Sequence, residues 1–166
     1  SRNPRRLEQL VRDLSDPMRD VRIAAIADLR QAQEDAVLAL IKALANEERA
    51  AEHQAIQHAL YRMDDVAIEP LLAAMQAPDE DLRRKAIEVL GLLKAREAGP
   101  HLIHPLYSEG SPDGVKLQAA YALKRIYGGV PDEVASLRFL ARRVDRLTTG
   151  DLPRKADPEV NIELWL

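Results

Sequence analysis

The sequence has no cysteine, a single phenylalanine and a single tryptophan among its 166 residues. Without cysteine there is no disulfide, no thiolate zinc site and no cysteine nucleophile. Aromatic residues, at 4%, are too scarce for the aromatic and β-branched strands of a sandwich. The abundance of leucine and alanine favours closely packed helices instead. An excess of one charge is also missing: 24 Lys and Arg face 27 Asp and Glu, a net −3. A general binder of nucleic acid or of anionic membranes would carry a basic surface, so nucleic acid is an improbable partner. No apolar run approaches the ~18 residues of a membrane span. Residues 1–15 are too charged for a signal peptide. The expectation is a soluble cytoplasmic protein. There is no nucleophile-elbow motif, and Gly128-Gly129 stands alone rather than in a phosphate-cradling loop. Nothing calls for a catalytic residue, a metal or a cofactor.

What the chain does have is repetition. Leu14, Leu44, Met75 and Leu106 recur at intervals of 30, 31 and 31 residues. Val21, Ala25, Ile26 and Leu29 correspond to Ala51, Ala55, Ile56 and Ala59. They correspond again to Leu82, Ala86, Ile87 and Leu90, and to Val115, Ala119, Ala120 and Leu123. A second set agrees as well: Val37, Leu40, Ile41 and Leu44 match Ile68, Leu71, Leu72 and Met75. Both spacings are helical. Each unit is therefore a first helix, a turn and a second helix. Such a unit is too small to bury its apolar face alone, and self-similarity at this period means a solenoid.

Punctuation agrees with the helices. Asp79 and Asn46 are expected caps, and Ser15-Asp16-Pro17 and Ser111-Pro112-Asp113 place a cap before a first-turn proline. Gly128-Gly129 closes a first helix ahead of Pro131. Pro70 and Pro105 shorten or delay their second helices. Gly91, inside a first helix, costs roughly 1 kcal/mol against alanine, and close helix packing is its expected reason.

Both ends deviate. Leu7, Leu10, Val11 and Leu14 repeat the second-helix spacing, so the chain starts, at Ser1, with a half-unit. That half-unit is either an N-terminal cap or the stub of a longer array. At the other end Val134, Leu137, Leu140, Ala141, Val144 and Leu147 form the expected inward stripe of a closing helix. This leaves Phe139 on its outer side with Arg142, Arg143 and Arg146. The expectation is an all-α, right-handed α-α superhelix of about four helix-pair repeats plus an N-terminal half-repeat, over residues 4–147. Residues 148–166 read as an extended C-terminal tail, with Val160, Ile162, Leu164 and Leu166 on one edge and Trp165 on the other.

The segments DPMRDVRIAAIADL and PDEDLRRKAIEVLGLL, each a loop aspartate followed by small and aliphatic positions, resemble HEAT-like repeats. The short unit is similar to the repeats named after the phycobilisome lyases. The T-P-L-H of ankyrin units and the W…L-G…Y set of tetratricopeptide units are absent. The resemblance implies a protein- or peptide-binding scaffold, with a bilin or tetrapyrrole lyase-like protein, or a structural piece of a larger repeat protein, as alternatives. It also brings to mind the iron-holding His-Glu pairs of related hydroxylases. Glu52-His53-Gln54 has glutamine where the glutamate belongs, and His53 and His58 are expected to be exposed polar positions.

In such arrays the second helices line the concave, partner-facing side. There Ala39, Pro70 and His101 hold equivalent outward positions, as do Lys42, Ala73 and His104, and these six are the candidate partner-binding residues. His101 and His104 share a solvent-facing side, three residues apart. A second candidate is the C-terminal patch of Phe139, Arg142, Arg143 and Arg146. It could receive Trp165 by stacking and cation–π contact, within one chain or between two. Arg2, Arg5, Arg6 and Arg12 make a further basic cluster, diluted by Glu8 and Asp13.

Overall fold

A computed structural model describes residues 3–148. Every regular element among them is helical. Half-unit α1 spans Pro4–Asp13, and four pairs follow: α2 (Arg19–Ala32) with α3 (Glu34–Leu44), α4 (His53–Arg62) with α5 (Ile68–Ala74), α6 (Glu80–Leu92) with α7 (Gly99–Tyr107), and α8 (Asp113–Tyr127) with α9 (Glu133–Thr148). The chain is an all-α solenoid. Most of its core is one continuous strip running from Leu7 in α1 to Ile126 in α8, so each pair is closed by its neighbours. In the third unit the expected inward set of Leu82, Ala86, Ile87 and Leu90 is fully buried.

The caps come out in three ways. The Asp79 carboxylate accepts the Leu82 N–H at 2.8 Å and opens α6 as expected. Asn46 accepts the Glu48 N–H at 3.0 Å, but what it opens is a 3-10 turn over Glu47–Glu52, kinked at Arg49. α4 therefore starts only at His53, which leaves Ala51 exposed and outside the repeat pattern. Asp16 accepts the Met18 N–H at 2.7 Å, two residues on, and α2 is capped at Met18 instead of within Ser15-Asp16-Pro17. Pro112 rather than Ser111 takes the cap position of α8. α9 opens behind Asp132, whose side chain accepts the Ala135 N–H at 2.7 Å. α5 and α7, which contain Pro70 and Pro105, are the shortest α-helices described, at 7 and 9 residues.

The turn between first and second helix has a backbone requirement that composition hides. Gln33, Asp64 and Lys94 occupy it in the first three units, at φ of 51°, 53° and 52°. Gly128, at φ 87°, occupies it in the fourth. Only glycine enters this left-handed region without a Cβ penalty, so three of the four reversals are held by residues that pay it.

Units are joined by side chains that cross from one to the next. Gln57 in α4 donates to Glu88 in α6 at 2.9 Å. His53, expected on the surface, is buried. Its Nε2 meets the Asn46 carbonyl at 2.9 Å, and its Nδ1 faces the Lys85 ammonium of α6, which also pairs with Asp81. An acceptor at one nitrogen and a donor at the other match the Nε2–H tautomer, so burial leaves neither nitrogen without a partner. Gly91 lies where α6 and α8 cross: a Cβ there would stand 3.0 Å from both Cα and Cβ of Ala122, so the two backbones approach closer than alanine would allow.

The last helix is turned relative to expectation. Phe139 is buried against Ile103 of α7, with Tyr107 and Leu140 beside it, in a cluster separate from the main core. The Tyr107 hydroxyl donates to the Pro131 carbonyl and helps hold α9 to α7. Val134, Leu137 and Val144, expected inward, are 59%, 62% and 57% exposed. The physical reason is size: one aromatic ring removes more apolar area from water than any aliphatic side chain of the helix, so the helix settles with that ring inside.

Three stability outcomes follow. Ile87→Ala should cost ~2–5 kcal/mol in denaturant unfolding, because a fully buried side chain leaves a cavity behind. Gly128→Ala should cost about 1 kcal/mol, with no clash because no atom lies within 4 Å of the added methyl. Lys94→Gly should shift the midpoint the opposite way.

Candidate partner-binding groove

The second helices each bury one face and leave another free. α3 turns Ala36, Val37, Leu40, Ala43 and Leu44 inward. This leaves Asp35 and Ala39 half-buried and Leu38 and Lys42 exposed. In α5, Ile68, Leu71 and Ala74 are buried, while Pro70 is half-buried and Ala73 exposed. In α7, Leu102 and Ile103 are buried, and His101 and His104 are exposed as expected.

These six residues do not converge on one spot. Ala39 and Lys42 line a cavity of about 460 Å³ between α1 and α3. Pro70, Ala73, His101 and His104 lie outside it, farther along the array. The cavity is lined by the apolar Pro4, Leu7, Leu38, Ala39 and Ala43 together with Glu8, Asp35, Lys42, Asn46 and Arg49. Asp35 and Lys42 are seven residues apart and share a face of α3. An acid and a base therefore stand two turns apart on either side of an apolar centre.

Arg49 closes one wall. Its guanidinium holds Glu52 through two hydrogen bonds, at 3.2 and 2.5 Å, and reaches Glu8 of α1 at 3.0 Å. The hydrogen bonds to Glu52 raise its already high pKa, against an opposing desolvation cost. This clasp ties the half-unit to the second unit across 41 residues of sequence. The contribution of Arg49 to the cavity is invisible to a repeat alignment, because it does not belong to the recurring set, whereas α1 enters as the half-unit that the repeat pattern shows. The terminal arginines are also less free than a basic cluster suggests: Arg6 pairs with Asp28 at 3.0 Å and Arg12 with Glu8 at 3.5 Å.

At the far end of the row, partial burial holds the His101 imidazole below its ordinary pKa. The charge of Arg143 in α9 lowers it further, and Glu69 in α5 opposes both. Of the expected C-terminal patch, Arg142 is exposed and Arg143 half-buried on α9, while Phe139 is inside and cannot stack with a tryptophan. The side chain of Arg146, along with Trp165, Arg2 and the tail beyond Thr148, lies outside the described residues.

The His101 environment gives a signed pH outcome. A depressed histidine contributes stability that is full above its unfolded pKa and is lost as pH falls through the folded one. In an NMR titration, Arg143→Gln should raise the His101 midpoint, and Glu69→Gln should lower it further.

Residues 68–149 match the family model for HEAT repeats. No curated protein matches the chain. Among solved structures, the crystal structure of an engineered protein is similar at 22% identity and a TM-score of 0.44, with 96% of this chain and 76% of that one covered.

Proposed function

Because the chain is a HEAT-like repeat protein, we propose that it is a protein- or peptide-binding scaffold, that its groove is the row of second helices, and that it performs no catalysis of its own. HEAT repeats commonly mediate protein interactions. The observation that carries the proposal is the cavity of about 460 Å³ at the N-terminal end of the row, lined by apolar and charged side chains together. Apolar anchors in such a depression supply affinity, and polar rims supply orientation. Leu38, 60% exposed, and Ala39 offer the anchor surface. Asp35 and Lys42 would align an amphipathic segment by its charges, and Ala73 would let its backbone come close farther along. No helix among the described residues is long and apolar enough to cross a membrane.

Selection of a displayed random-peptide library against the full chain tests this reading. Recovered peptides should lose about tenfold or more in affinity, ~1.4 kcal/mol, on both Leu38→Asp and Ala73→Trp. The exposed control Ala24→Trp on α2 should change little, and the melting temperatures of all three variants should stay near that of the parent. Peptides that bind all three variants alike would place the binding face elsewhere.

A further inference from the structure

The two ends of the solenoid are finished differently. At the N-terminal end, α1 buries Leu7 and Val11, with its C-cap Leu14 buried beside them, and shows solvent Arg5, Arg6, Glu8, Gln9 and Arg12. The outward face of α1 is polar. At the C-terminal end the surface is apolar. On α8, Leu117 and Tyr121 are 55% and 54% exposed. Their equivalents in the second unit are His53 and Gln57, which contact Lys85 and Glu88 of the next first helix. So Leu117 and Tyr121 hold the positions that in the second unit meet the following unit. On α9, the buried Ser136 and Phe139 face α7, and the other side is a stripe of Val134, Leu137, Ala141 and Val144 at helical spacing, all exposed. Arg138 and Arg142, also exposed, run beside that stripe.

We propose that residues 157–166 of the same chain dock on the exposed stripe of α9 and cap the C-terminal unit. The segment reads DPEVNIELWL. It combines Val160, Ile162, Leu164, Trp165 and Leu166 with three acids, Asp157, Glu159 and Glu163, and no base. That composition complements an apolar stripe flanked by arginines. The connection also reaches. Val144 and Val134 lie ~6 and ~21 Å along the helix from Thr148, at 1.5 Å per residue. Residues 149–156 can extend ~26 Å, enough for the segment to fold back antiparallel along the stripe. The site differs from the groove of second helices and does not depend on that groove binding anything.

The test uses the full chain and its single tryptophan, Trp165, which lies within the docking segment. Docking should give Trp165 high fluorescence anisotropy and weak quenching by acrylamide, both independent of protein concentration. Leu137→Asp changes an exposed residue and should leave the circular dichroism intact. It should nonetheless raise the quenching constant severalfold and lower the anisotropy. Arg138→Glu should do the same to a smaller degree and be partly rescued by Glu163→Arg. Quenching that Leu137→Asp leaves unchanged would overturn the proposal. So would quenching that rises on dilution, since the stripe would then be covered by a second copy of the chain.

Discussion

A helix pair of this length has more apolar surface than it can hide, and that constraint governs the molecule. α6 is stable because α8 lies on it, close enough that Gly91 cannot carry a methyl against Ala122. α4 in turn leans on α6 through His53 and Gln57. No side chain is placed by its own helix alone, so stability is a sum over neighbouring interfaces rather than a property of a central core. The polar contacts between units add register. Exposed ion pairs such as Arg30 with Asp64 contribute little energy by themselves, whereas a buried histidine with both nitrogens engaged admits few alternative alignments.

The same logic separates what was readable in the sequence from what was not. The four-fold recurrence of aliphatic positions announced the pairs, and Asp79, Gly91 and Gly128 behave as their chemistry predicts. Those features are local or periodic. His53 was misread because its burial depends on Lys85, 32 residues away in another unit. The start of α4 was misread because Arg49 is drawn to Glu52 and Glu8, and the 3-10 turn follows that attachment. The positive-φ reversals at Gln33, Asp64 and Lys94 carry no compositional mark at all, although glycine holds the corresponding place, Gly128, in the fourth unit.

The candidate groove was half legible. Helical phase put Ala39 and Lys42 on an outward face and His101 and His104 in solvent; Lys42 and His104 are exposed, whereas Ala39 is half-buried against the core and His101 partly desolvated. Phase could not give depth: the cavity exists because α1 and Arg49 supply its other wall. The last helix shows the limit of pattern reading. Six aliphatic residues at good spacing outvote one phenylalanine when positions are counted, yet Phe139 fills the space against Ile103 and decides the rotation.

The 3-10 turn that opens the second unit also bears on mechanics. α6 and α8 are in near backbone contact, while the second unit begins with a kinked turn at Arg49 whose first residues bury nothing. A bending load applied to the array would therefore be taken up at the second unit, leaving the third and fourth to move as one stiff lever. The cavity lined by Ala39 and Lys42 lies on the compliant side of that joint. Any movement of the second unit against α1 there would have to break the Arg49 clasp on Glu8 and Glu52, so the width of its mouth depends on that one guanidinium.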